Sequence, residues 1–247
     1  MRAVASLLVS VLLLTGCTVS YFLPSQEPGE IAASFEGTYT EPVAASYYVH
    51  VPESYAQDSD PVPLMLFLHG AGERGDDLTK VKGHGPPKLA SQDASFPFLV
   101  VSPQVPENQW HDPETLITLI DQVASDYNVD EDRIYLTGLS MGGHGTWQLA
   151  GRFPDRFAAI VPICGWGSRY EARSIARAKL PTWVFHGAQD RVVLLRESEH
   201  MVEMMQRAGL DPKFTVYPDA GHDAWTPTYD NPELYEWLLS HRRSDRD

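Results

Sequence analysis

Cysteine is almost missing from this chain: 247 residues contain only Cys17 and Cys164. Two thiols cannot build a disulfide framework, so the fold must be held by an apolar core. Basic charge is also scarce, with 19 Lys and Arg against 33 Asp and Glu and a formal net charge of −14. Nucleic-acid partners are excluded on that ground, because phosphate affinity needs clustered cations. The same charge repels an anionic membrane surface. Low-complexity tracts and internal repeats are absent. No apolar run is long enough to cross a bilayer; the one from Ala3 to Leu14 falls short of the roughly 20 residues required. Paired histidine spacing is lacking among His50, His84, His111, His144, His200 and His241, so no metal is expected.

What is present begins at the N-terminus. Arg2, the short apolar run and Leu14-Thr-Gly-Cys17 read as a secretory signal over 1–16. The last four residues resemble the lipobox of bacterial lipoproteins, which implies cleavage before Cys17 and lipidation of that cysteine. Two or more acyl chains on one residue give stable anchoring. Thr18 rather than aspartate follows, which in that resemblance points to the outer membrane, facing either the periplasm or the exterior. Residues 17–43 are expected to be a tether leading into the first strand, and 44–247 a single catalytic domain.

Within the domain, short β-rich runs alternate with helical patterns. Tyr47 to Val51 reads as an edge strand limited by Pro52. Leu64 to Leu68 is continuously apolar, as in a strand buried on both faces, and Phe98 to Ser102 is similar. Further strands are expected at Arg133 to Thr137, Phe157 to Ile163, Thr182 to Phe185 and Lys213 to Tyr217. Helices are expected at Glu114 to Tyr127, Met141 to Phe153, Leu194 to Ala208 and Pro232 to Leu239. This alternation predicts an α/β fold, a mostly parallel doubly wound sheet with helices on both faces. Ligands then bind beyond the C-terminal ends of the strands.

Three loops at those ends carry candidate chemistry. Gly138-Leu-Ser140-Met-Gly142 joins a strand to a helix, the context in which G-x-S-x-G presents a serine on a tight turn. An activated serine needs a base, and the base needs an orienting carboxylate. Asp190 follows the Thr182 strand and His222 follows the Lys213 strand, in the order Ser, Asp, His. Asp219, Asp223 and His186 lie nearby and are read as local turn or packing residues. Two N–H groups must receive the oxyanion. Met141 supplies one, and the loop His69-Gly-Ala-Gly-Glu-Arg-Gly75 the other, from Ala71 or alternatively Gly70. Glu73 and Arg74 either pair to brace this loop or stand solvated. Cys164, inside an apolar run, is expected to be a small buried hydrophobe.

The runs His69 to Gly75, Gly138 to Trp147 and Gly221 to Pro227 together resemble one branch of the α/β-hydrolases. That branch is the carboxylesterase/phospholipase-like, or "predicted peptidase", group, similar to feruloyl esterases and polyhydroxybutyrate depolymerases. The resemblance covers about Ala44 to Leu239 and implies hydrolysis of carboxylic esters without any cofactor; with the serine as nucleophile, the expected route is an acyl-enzyme. The loop reads His-Gly-Ala-Gly where many lipases have His-Gly-Gly-Gly, which weakens a lipase-like expectation. Only about 18 residues separate Ile163 from Thr182, too few for a cap domain, so an open site for small or polymer-borne esters is expected. Trp110, Trp166 and Trp225 lie near its mouth, as stacking surfaces for rings or as loop packing. The rival readings are a serine peptidase with the same three residues and a catalytically idle binding lipoprotein. Oligomeric state is not legible.

Overall fold

The structure is a computed structural model and describes residues 28–38, 42–55 and 60–246. The expected signal segment, and Cys17 with it, lie outside these residues. An eight-stranded sheet forms the centre: β1 (Gly29–Thr38), β2 (Pro42–Val51), β3 (Val62–Leu68), β4 (Leu99–Gln104), β5 (Val129–Leu139), β6 (Ala159–Ile163), β7 (Trp183–Gly187) and β8 (Lys213–Tyr217). Their spatial order is β1-β2-β4-β3-β5-β6-β7-β8. β1 and β2 pair antiparallel, as do β2 and β4, and every later pairing is parallel.

The helices are α1 (Gly85–Gln92), α2 (Pro113–Asp126), α3 (Met141–Arg152), α4 (Arg169–Arg177), α5 (Leu195–Arg207), α6 (Trp225–Tyr229) and α7 (Pro232–Leu239). The core divides as period-two side-chain alternation requires. Leu64, Leu66 and Leu68 point into one apolar cluster with residues of α2, α3, α4 and α5. Met65 and Phe67 point the other way, into a cluster with residues of α1, α6 and α7. All seven residues of β3 are buried, which is why its sequence shows no polar alternation.

Two expectations are corrected. Residues 29–38, assigned to the tether, form β1, held by a ten-residue antiparallel register from Gly29 opposite Val51 to Thr38 opposite Pro42. Only Phe35 of β1 is buried, so its pairing is a backbone matter with almost no apolar signature. Consequently Tyr47 to Val51 is not an edge: β2 lies between β1 and β4, with Tyr47, Val49 and Val51 buried. Between β6 and β7 stands only α4, which Ser168 and Glu171 start with a reciprocal capping box. Among the described residues no helix is long and apolar enough to cross a membrane.

Candidate active site

Ser140 sits between the end of β5 and the start of α3 with φ 53° and ψ −113°. A residue with a Cβ reaches that region at a cost of about 1–3 kcal/mol, so its surroundings must impose it. They do so at two places. The Ser140 N–H donates to Ile163 O at 2.9 Å, tying the turn to β6. Gly142 lets α3 approach β3 so closely that a Cβ there would lie 1.9 Å from Leu68 O.

The three loops predicted from sequence converge. His222 Nε2 lies 2.9 Å from Ser140 Oγ, and His222 Nδ1 lies 2.6 Å from Asp190 Oδ2. The Asp190 side chain is fully buried, while 20% of the His222 side chain is exposed. Burial pushes the Asp190 carboxyl up, but hydrogen bonds from His222 and from the Val192 and Val193 amides outweigh it and hold it below its ordinary value. The ionised carboxylate only accepts, so Nδ1 carries the imidazole proton and Nε2 presents a lone pair to the serine hydroxyl. Such a row can draw a proton from the hydroxyl as its oxygen attacks.

Behind His222, the Cys164 thiol donates to the His222 carbonyl at 3.3 Å. Burial pushes that thiol up to about 12, so it is a neutral donor. Cys164 is indeed buried, but its φ of 48° and this bond give it a place in the site that an apolar reading omits. His186 is buried, as expected of a packing residue, and it also meets Asp190. Its Nε2 stands 3.3 Å from Asp190 Oδ2, because a four-residue turn after β7 folds the carboxylate back over the strand end. Asp223 is a local turn residue as read, accepting from the Thr226 N–H and hydroxyl.

The loop after β3 is held from beneath by buried polar groups. Val105 N–H donates to His69 Nε2 at 2.9 Å, so the His69 proton sits on Nδ1, which donates to Gly70 O at 2.6 Å. His111 Nε2 donates to His69 O at 3.0 Å. Gln104 Nε2 donates to Glu73 O and Asp77 O. Burial drives His69 down to about 4 and His111 down to about 3, so both are neutral at pH 7. Ala71 opens a 3-10 turn, Ala71–Glu73, and Met141 opens α3. First residues of helical turns have N–H groups without intrahelical acceptors, free for an anion. Glu73 and Arg74 do not pair with one another: Glu73 lies 3.8 Å from His84 Nε2, and the Arg74 guanidinium sits over the Trp110 ring at 5.0 Å.

The tryptophans fall into two groups. Trp110, 53% exposed, stands edge-on to Trp166 at 6.0 Å, and Trp166 stacks on His144 at 4.5 Å. Trp225 meets the His222 ring edge-to-face at 5.1 Å. Sequence reading gave no role to Gln104, His111 or His144. Gln104, a polar residue closing an apolar strand, was the one visible signal among them.

With this geometry in place, comparison with known proteins is decisive at one level. Residues 43–233 match the dienelactone hydrolase family. The chain belongs to that family. It is 27% identical over 199 residues to the bifunctional acetylxylan esterase/xylanase XynS20E of Neocallimastix patriciarum, covering 77% of this chain and 27% of that protein. It is 29% identical over 139 residues to feruloyl esterase B of Thermothelomyces thermophilus, covering 50% of this chain and 45% of that protein. The chain therefore spans less than half the length of these two relatives. Among solved structures, a thermostable esterase superposes with a TM-score of 0.73 at 33% identity, over 86% of this chain and 63% of that one. A ferulic acid esterase superposes with a TM-score of 0.61 at 19% identity, a likeness of fold. Family and fold together make this dienelactone hydrolase relative an α/β-hydrolase with esterases among its kin.

Proposed function

We propose that the chain is a serine esterase that hydrolyses small carboxylic esters, or ester groups on a larger polymer, through an acyl-enzyme. The hydrogen-bonded row from Ser140 through His222 to Asp190 carries this reading. In it, His222 Nε2 takes the Ser140 proton as Oγ attacks the ester carbonyl, and Asp190 stabilises the imidazolium. The Ala71 and Met141 N–H groups receive the oxyanion. The imidazolium then protonates the departing alcohol, and a water activated by His222 releases the acid. No cofactor enters any of these steps.

Relatives bearing the names acetylxylan esterase, feruloyl esterase and poly(3-hydroxyalkanoate) depolymerase support a polymer-borne ester as substrate. Trp110 and Trp166 are then a wall for the substrate's rings, and Trp225 lines the base. The test is turnover of p-nitrophenyl and feruloyl esters by the parent and by Ser140→Ala, beside matched amides. The parent should hydrolyse esters, and the variant should lose several orders of magnitude. Equal rates in both would refute the nucleophile, and faster amide cleavage would favour a peptidase. We also propose export and lipid attachment at Cys17, supported by the N-terminal pattern alone. Cys17→Ser should abolish incorporation of labelled fatty acid, and persistent labelling would sink the proposal.

A further inference from the structure

One fully buried titratable side chain has no part in the chemistry above. His186 is the penultimate residue of β7 and is wholly inaccessible. Its Nε2 lies 2.9 Å from Val193 O and 3.3 Å from Asp190 Oδ2. Its Nδ1 lies 2.7 Å from Ser198 Oγ on α5. A carbonyl and an ionised carboxylate only accept, so the ring proton must sit on Nε2. Nδ1 is then the lone-pair end, and it accepts from the Ser198 hydroxyl at 2.7 Å, a shorter contact than the 3.4 Å from that hydroxyl to Gly165 O. The ring is thereby fixed in one tautomer between α5 and the Asp190 loop.

The start of that loop is tied down by the Ala188 and Gln189 N–H groups, which donate to Tyr217 O and Ala220 O at 2.9 Å, and past Asp190 the hold passes to the carboxylate and the ring. Val193, whose carbonyl the ring holds, donates its own N–H to Asp190 Oδ1 at 3.0 Å, beside Val192 at 2.8 Å. The other carboxylate oxygen meets both His222 and the His186 N–H. A continuous path of polar contacts therefore runs from α5 through Ser198, His186 and Val193 to the carboxylate, and on to His222 and Ser140.

We propose that His186 is a positioning residue, which orients the Asp190 carboxylate by clamping the Val193 peptide and by placing its Nε2 beside Oδ2, the oxygen that His222 also meets. The titratable groups facing it are Asp190 on its own loop and Cys164 beyond β6, whose ligand atoms all lie within 4.8 Å of one another. His222 follows through Asp190. Burial first, and the Asp190 carboxylate after it, keep the Cys164 thiol protonated.

The catalytic part of this rests on the esterase reading, so the test has one readout with substrate and one without. His186→Phe keeps bulk but removes all three polar contacts, to Val193 O, Asp190 Oδ2 and Ser198 Oγ, and His186→Gln keeps a donor and an acceptor. Outer partners of functional groups typically matter by about 10- to 100-fold. In His186→Phe, kcat for p-nitrophenyl acetate should fall by about that factor, normalised to fluorophosphonate-titrated sites, with KM within about twofold. The acid limb of the kcat/KM profile should move to lower pH, because a loosely held carboxylate stabilises the His222 imidazolium less. His186→Gln should recover most of both. Without substrate, the low-field N–H proton resonance of the His222–Asp190 hydrogen bond should shift or broaden in the Phe variant and return in the Gln variant. Parental kcat, pH profile and resonance in His186→Phe would overturn the proposal. A resonance that moves as expected in a chain without ester turnover would sustain the positioning role and overturn the esterase reading instead.

Discussion

Gly142→Ala is the perturbation whose consequence the structure fixes most tightly. A Cβ at this position would stand 1.9 Å from Leu68 O, 2.4 Å from Leu68 C and 2.8 Å from His69 O. All three are backbone atoms, so no rotamer change relieves the clash. Ordinary contact begins at 3.4 Å, so α3 and the end of β3 must separate by about 1.5 Å at this point. Overpacking a core costs roughly 1–3 kcal/mol, and an obstacle made of sheet backbone puts this case at about 3 kcal/mol. For a chain of this length each kcal/mol moves Tm by roughly 2–4 °C, so the expected fall is about 6–12 °C. Activity should suffer beyond stability. The displaced segment carries His69 and leads directly into Ala71, and a misplacement of about 1 Å can cost roughly 100-fold. The assay is thermal unfolding by circular dichroism together with kcat/KM for p-nitrophenyl acetate well below the variant's Tm. Gly72→Ala is the control: nothing lies within 4 Å of its Cβ, and it should stay within about 1 kcal/mol of the parent. A Gly142→Ala protein that melts within about 1 °C of the parent and retains its rate would refute the close-approach argument.

Acid should loosen the loop after β3. His69 and His111 are held neutral, at about 4 and about 3 when folded, against 6.5 for an ordinary histidine. As pH falls, the unfolded chain binds protons first, so their contribution to stability is full above about 6.5 and declines from there toward 4. Urea unfolding at pH 7 and pH 5 should show that decline, and His111→Gln should flatten it; an unchanged slope would show that His111 does not drive it. Cys164, buried and with its thiol pushed up to about 12, should resist iodoacetamide at pH 8 in the native protein and react once unfolded. Rapid native labelling would contradict the neutral, inaccessible donor to His222.

Legibility from sequence followed how each feature is encoded. β3 and the helices α2, α3, α5 and α7 announce themselves through apolar runs and periodicity, because their information lies in side-chain burial, whereas the short α1, α4 and α6 do not. β1 does not, since ten backbone pairs form it and one buried side chain, Phe35, marks it. Ser140, Asp190 and His222 were readable because each stands at a strand end in a fixed chain order, a one-dimensional trace of a three-dimensional convergence. Their supports were not. His111 reaches the oxyanion loop from 42 residues away, and Cys164 reaches His222 across 58. His186 was in view, four residues before Asp190, and was read as bland because sequence neighbours seldom meet across a site. A turn that folds back on its own strand end breaks that rule, and no periodicity marks such a turn.

These supports share one property that bears on how the site is used. His69, His111, His186, Gln104 and Cys164 are all buried, and the hydrogen bonds they make go to backbone or side chains of the protein rather than to the mouth, His111 through Nε2 alone. The exposed side of the site is instead aromatic, with Trp110 half in solvent and braced by Arg74 and Trp166. On the proposed esterase reading, the groups that set proton positions and the groups proposed to meet a substrate are thus carried by different side chains. His222 is the exception: its Nδ1 face belongs to the buried network through Asp190, and its ring edge meets Trp225 near the opening. Changes at Trp110 or Trp166 are therefore free to alter which ester enters without disturbing the proton on His222, whereas a change at Trp225 reaches both at once. On that reading, Trp110→Ala and Trp166→Ala should change the ratio of feruloyl to acetyl ester turnover while leaving the pH profile of kcat/KM in place, and an unchanged ratio would refute a substrate role for this wall.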